Sequence, residues 1–135
     1  MTTRSGNCLC GKIRYEVTGE PRASTVCHCS HCKKQSGSIL SVNFVFRETD
    51  FHLSGEPKLF VDSGDSGSAV NRYFCGECGS PIFATIASMP GKVVVKAGSL
   101  NVIGDAGPQA EIYAQQRVGW LPEIAGTRQF ASGFE

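Results

Sequence analysis

Short runs of alternating apolar and polar residues, broken by glycine, dominate this chain. Residues 12–17 place Ile13, Tyr15 and Val17 on one face and charge on the other, the period-two pattern of a half-buried strand. Leu40, Val42, Phe44 and Phe46 repeat the period further on. Shorter candidates follow at residues 51–53 and 59–61, split by Gly55-Glu56-Pro57. Residues 62–68 read as a loop by composition. Strands are expected again at 72–74, 82–84, 92–97 and 111–114, and the stretch from residue 118 onward reads as an irregular cover on the core. One helix fits the pattern. Ser30 is a good N-cap and Gly37 a good C-terminal stop, which leaves residues 31–36 for about two turns. The chain is therefore expected to be mainly β, built of short antiparallel strands with one short helix.

Sixteen glycines and six prolines support many turns. The 135 residues predict a single domain spanning 1–135, with no internal repeat or dividing linker. A net charge of +1 offers no strong attraction to nucleic acid or to a membrane surface, and no apolar run reaches spanning length. The first seven residues contain no apolar stretch of the signal-peptide kind, so a reducing, cytoplasmic location is expected.

The cysteines change this picture from a generic β protein to a metal protein. Cys8 and Cys10 form C-x-C-G, Cys27, Cys29 and Cys32 form C-x-C-x-x-C, and Cys75 and Cys78 form C-x-x-C-G. An odd count leaves one thiol over in any disulfide scheme, and residues two apart bridge poorly. Thiolates paired across tight turns are instead the donors of zinc sites. A thioredoxin-like role for Cys75 and Cys78 lacks the βαβ pattern it would need. The first and last pairs each lie beside a strand and end in glycine, so each reads as a zinc knuckle. Two facing knuckles would make a closed site of Cys8, Cys10, Cys75 and Cys78. Cys27, Cys29 and Cys32 then form a second set with three protein ligands, and the fourth corner of such a site is where zinc does chemistry. Gly11 and Gly79 suit knuckle positions with positive φ.

His28 and His31 lie within the triplet and are the candidates to close it or to manage a proton. His28 sits between two ligands and should point away from the metal, while His31 is turned about a hundred degrees from Cys32. His52 reads as a packed or surface histidine, and Lys33 and Lys34 as solvated charges that could steer an acidic ligand.

Taken in order, Cys8-x-Cys10-Gly11-x-Ile13-x-Tyr15, Cys27-His28-Cys29-Ser30-x-Cys32-Lys33 with Ser36-Gly37, and Phe74-Cys75-x-x-Cys78-Gly79-Ser80 resemble the glutathione-dependent formaldehyde-activating enzymes, also called the centromere protein V family. Gly55, Arg72, Gly98-Ser99-Leu100 and Trp120 extend the likeness over nearly the whole chain. The resemblance implies a β-tent fold with two zinc ions. One is structural, on Cys8, Cys10, Cys75 and Cys78. The other is catalytic, on Cys27, Cys29 and Cys32. It also implies carbon–sulfur lyase or synthase chemistry of the S-(hydroxymethyl)glutathione synthase type, acting on a glutathione-like thiol and a small aldehyde such as formaldehyde. Asn101 and Glu111 stand where the family often has aspartate and histidine, so substrate recognition is where a departure is expected. The competing reading is a zinc-stiffened module that binds a thiol or peptide without turnover. A zinc-ribbon nucleic-acid binder would need clustered basic and aromatic residues, and a sulfoxide reductase would need an eighth cysteine.

Overall fold

A computed structural model describes residues 2–64 and 67–133. The strands are β1 (Thr3–Asn7), β2 (Arg14–Thr18), β3 (Ala23–Cys27), β4 (Ser41–Arg47), β5 (Phe51–Ser54), β6 (Lys58–Ser63), β7 (Ala69–Phe74), β8 (Pro81–Ile86), β9 (Lys92–Lys96), β10 (Ala110–Ile112) and β11 (Arg128–Gln129). The one α-helix, α1, spans Ser30–Ser36, and three single 3-10 turns complete the elements. The mainly β expectation holds.

Two sheets divide the strands. The smaller has the order β1-β2-β5, and the larger runs β11-β10-β3-β4-β9-β8-β7-β6. Pairing is antiparallel except at one edge, where β10 lies parallel to both β3 and β11. That edge departs from the all-antiparallel expectation. A strand arriving from the far end of the chain is not constrained by a hairpin turn, so either direction is open to it.

The main core lies between the sheets. Alternation on β2 sends Tyr15 and Val17 inward, where they meet Phe44 and Phe46 of β4, Ile82 and Phe83 of β8, and Val93 and Val95 of β9. Phe46, Ile82 and Val95 are buried to within 1% of their surface, and each such side chain contributes roughly 1.5–3 kcal/mol. The other pleat of the large sheet carries a second cluster of Val45, Val70, Ala84 and Val94. Both faces of the central strands are therefore covered, which explains the unbroken apolar run Val93-Val94-Val95. At Gly6 the backbone of β1 passes so close to Tyr15 that an added Cβ would stand 2.3 Å from its ring.

Besides the short β11, two strands were not anticipated. β1 is polar throughout and β3 has no clean alternation, so neither carries the periodic signal. The expected loop at 62–68 begins later than its composition suggests, because Asp62 and Ser63 continue β6 in register with β7. Asp65 and Ser66 of that loop lie outside the described residues. The irregular cover after residue 118 is as expected, apart from the two residues of β11.

Candidate metal centres and the clefts beside them

Two loops of similar construction bring the outer cysteine pairs together. In the first, Cys8 N–H donates to the Ile13 carbonyl and Gly11 N–H to the Cys8 carbonyl. In the second, Cys75 N–H donates to the Ser80 carbonyl and Gly79 N–H to the Cys75 carbonyl. Gly11 and Gly79 hold φ of 82° and 80°, the conformation only glycine adopts freely. Each loop is thus a strand-flanked knuckle, and Leu9 N–H donates to Ser80 Oγ across the gap between them. The four sulfurs lie within 4.8 Å of one another. Cys8 and Cys10 are 3.6 Å apart and Cys10 and Cys75 3.7 Å. A tetrahedral zinc with bonds of about 2.3 Å requires sulfurs roughly 3.8 Å apart, whereas a disulfide needs about 2.05 Å. All seven cysteines are free, and this set fits a metal ion. Ile13 N–H points at the Cys8 sulfur, and the Ser80 hydroxyl lies 3.2 Å from that of Cys78. Ser80 holds Cys78 down at about 5. Against a favourable backbone contact at Lys12, partial desolvation and the neighbouring sulfurs of Cys8, Cys75 and Cys78 push the exposed Cys10 up to about 11. Four sulfurs converging at this spacing are a donor set suited to a cation.

Cys27, Cys29 and Cys32 form the second group, all buried, with sulfurs likewise within 4.8 Å. Cys27 ends β3, and Cys32 lies in the first turn of α1. The cap differs from expectation. Cys29, not Ser30, is the N-cap, and its sulfur accepts from Cys32 N–H at 3.3 Å. Gly37 closes the helix in the left-handed conformation at φ 70°, as expected. Hydrogen bonds from Cys27 and Cys29 drive Cys32 far below the ordinary thiol range, helped by Lys96 and Ser41, while Cys27 is driven up.

The surroundings of the triplet come from strands distant in sequence. Arg72 of β7 is buried, donates to Asp62 Oδ2 at 2.9 Å and lies within electrostatic reach of Cys32. Lys96 of β9 is 9% exposed, and its Nζ donates to Asn43 Oδ1 at 3.0 Å. Asn43 in turn donates to Ser41 Oγ, and Ser41 helps to lower the Cys32 thiol. Burial holds Lys96 below the usual lysine range, opposed by the charge of Cys32. Arg72 is shifted upward by the Asp62 carboxylate and Cys32 despite its burial. Two cations therefore stand beside the triplet, and Lys96 favours the thiolate of Cys32.

Neither histidine joins the cysteines as a ligand. His28 is fully buried and gives its Nε2 to Glu111 Oε1 at 2.7 Å. Its side chain points away from the cysteines, as the spacing indicates. His31 turns its Nδ1 to Asp62 at 2.9 Å, and Asp62 accepts from Arg72 at the same distance. His52 is exposed. Lys34 is exposed too, while the Lys33 ammonium donates to the Gln116 carbonyl. Tyr113, beside the triplet, holds φ of 52°, the one such non-glycine residue among those described. Strain of that kind gathers at functional sites. Asp62, Lys96 and Tyr113 carry no sequence motif, and only the tertiary structure brings them to the cysteines.

Two clefts reach this region, one on each side of α1. The larger, about 670 Å³, runs from Ser41 and Lys96 to Cys8 and Ser80 at the knuckles. The smaller, about 450 Å³, is lined by His31, Lys34, Phe60, Asp62 and Arg72. No described helix is long and apolar enough to cross a membrane.

Comparison with known proteins accords with this arrangement. Proteins of Aspergillus flavus and Aspergillus oryzae that carry the name of the glutathione-dependent formaldehyde-activating enzymes are 30% identical over 81 residues, and one of Penicillium rubens is 35% identical over 82. Each alignment takes in 58% of this chain and 42% of the relative, so the matched segment is under half of the length of these relatives. A crystal structure of a Rhodobacter sphaeroides protein shares the fold, with a TM-score of 0.58 at 19% identity over 93% of this chain and 98% of that one. The family model of the glutathione-dependent formaldehyde-activating enzymes matches residues 3–116, which takes in all seven cysteines, and the chain belongs to that family.

Proposed function

We propose that this chain is a zinc-dependent enzyme of the carbon–sulfur lyase or synthase type, which joins a small glutathione-like thiol to a small aldehyde such as formaldehyde and reverses that addition. In the forward direction a carbon–sulfur bond forms, the carbonyl becomes a hydroxyl, and the proton lost by the thiol is balanced by one gained on oxygen. Cys8, Cys10, Cys75 and Cys78 are the structural ligands, and Cys27, Cys29 and Cys32 the catalytic ones. Zinc held by the triplet would supply a position at which an incoming thiol is favoured as its thiolate.

The observation that carries this reading is the contrast between the two cysteine groups. One offers four donors and the other three, and the three are buried beside Arg72 and Lys96. Those cations offset the negative charge that a further sulfur brings. The Cys32 N–H orients the Cys29 sulfur. Of the two histidines, His31 is the one a substrate can touch, since it lines a cleft while His28 is sealed.

Exchange NMR on glutathione and formaldehyde tests the proposal, because the uncatalysed reaction gives a measurable background. Wild-type protein loaded with zinc should accelerate exchange well above that background, and Cys29→Ser at equal concentration should lose at least tenfold of the acceleration. Equal rates with and without protein would instead favour a module that binds a thiol or peptide without turnover.

A further inference from the structure

Lys96 is the one charged side chain lining the larger cleft among the described residues, and it is more than nine-tenths buried. Its ammonium carries three protons. One reaches Asn43 Oδ1, and no described carboxylate pairs with it. On its inner side the Cys32 charge offsets part of the cost of burying an ammonium. On its outer side lie the serine-rich walls, including Ser36, Ser38, Ser41 and Ser99, with no aspartate or glutamate. A volume of about 670 Å³ lies within the 300–1,000 Å³ typical of small-molecule sites and far exceeds the needs of formaldehyde. Formaldehyde is also uncharged, so it gives a buried ammonium nothing to hold.

We propose that the cleft running from Lys96 and Ser41 to the knuckles binds an organic carboxylate on Lys96, so that a reactant presented to the neighbouring triplet carries a carboxylate. This rests on the thiol–carbonyl reading above and adds a charge class for the substrate. The carboxylate has two possible sources, the thiol or the carbonyl compound. In either case Lys96 is its anchor, flanked by hydroxyl donors from Ser41 and its neighbours. The hydrogen-bonded run Lys96–Asn43–Ser41 then fixes where the anchoring ammonium stands along the cleft wall. Asn43 faces Lys96 directly in the β4–β9 register, so the ammonium is held rather than free to swing away.

The test uses zinc-loaded protein and pairs of probes that differ by one carboxylate. Calorimetry compares N-acetylcysteine with N-acetylcysteamine, and exchange rates compare glyoxylate with formaldehyde. Wild type should prefer the carboxylate member of at least one pair by about tenfold or more, in line with a hydrogen bond to a charged group. The pair that shows the preference identifies the source. In Lys96→Met, with fold and zinc content checked, the ratio should fall to near parity, and Lys96→Arg should restore part of it. NMR gives a readout that survives poor folding of Lys96→Met: in wild type the Lys96 side-chain resonance should move with the carboxylate probe and not with its neutral analogue. No preference in either pair, or a preference that persists in Lys96→Met, would overturn the proposal. If wild type accelerates no pair, the enzymatic reading fails while the calorimetric comparison still decides this one.

Discussion

Nε2 of His28 lies 2.7 Å from Oε1 of Glu111, and both side chains are completely buried. His28 stands between two cysteines of the triplet, and Glu111 belongs to β10, so this contact ties the cysteine-bearing loop to the C-terminal part of the chain. The same carboxylate accepts from Gln129, Thr127 and the Ile124 N–H, and lies 3.2 Å from Arg117. Glu111 is thus the hub that holds the irregular C-terminal cover against β10.

Removing that hub strands several buried donors. Glu111→Ala should destabilise the protein by roughly 3–5 kcal/mol, since truncating one partner of a buried charged network leaves the others uncompensated. Chemical denaturation should show the loss, and limited proteolysis should cut first after residue 117. A loss below 1 kcal/mol would mean that the cover is held by something else.

The same residue predicts a pH dependence. Hydrogen bonds from Gln129, Ile124, His28 and Thr127 outweigh the penalty of burial and hold Glu111 down at about 2. An acid whose folded pKa is depressed contributes stability above its unfolded value, about 4.3, and loses it as pH falls through the folded one. Wild type should therefore exceed Glu111→Gln in melting temperature at pH 6, with the gap closing between about pH 4.5 and pH 2. Metal release in acid affects both proteins and cancels in the comparison. A gap that widens in acid would reverse the assigned sign.

The two cysteine groups should differ in what their loss does. Cys75→Ser breaks the link between knuckles 65 residues apart and is expected to prevent folding, because metal binding there is coupled to ordering two separate segments. Cys29→Ser should leave a folded protein without activity. Circular dichroism and thermal melts on both variants decide the matter, and equal unfolding would erase the division into structural and catalytic sets.

Metal removal should follow the same division. A chelator titrated against zinc-loaded protein is expected to release one equivalent early, from the three-donor set, and a second late. Metal analysis at each step checks this, and release in a single phase would contradict it.

Gly6→Ala tests the packing of the small sheet on the core. The new Cβ would stand 2.3 Å from Tyr15 and 2.6 Å from the Ser99 carbonyl, and Tyr15 is itself buried and hydrogen-bonded to Ser99. Overpacking of that kind costs about 1–3 kcal/mol, readable from a denaturant midpoint.

Much of this was written locally in the sequence. The knuckles, the two glycines at positive φ, the helix stop at Gly37 and the strands around Tyr15 and Phe44 all depend on residues within a few positions of one another. Turn chemistry and period-two alternation are short-range signals, so they survive without a fold. The division of seven cysteines into two pairs and a triplet was legible for the same reason.

The rest depended on which distant strands became neighbours. Asp62 on β6, held by Arg72 on β7 at the far edge of the large sheet, meets His31 on α1 at hydrogen-bond distance, a contact no local pattern encodes. Lys96 reads in sequence as a charge closing an apolar run, yet the β4–β9 register buries it opposite Asn43 and turns it toward the cysteines. Glu111 reads as a departure from the family pattern, and only the parallel pairing of β10 with β3 shows that it serves His28. Which cysteines form a pair or a triplet follows from spacing. Which charges surround them is decided by sheet order, because a buried charge takes its meaning from whatever the fold places beside it.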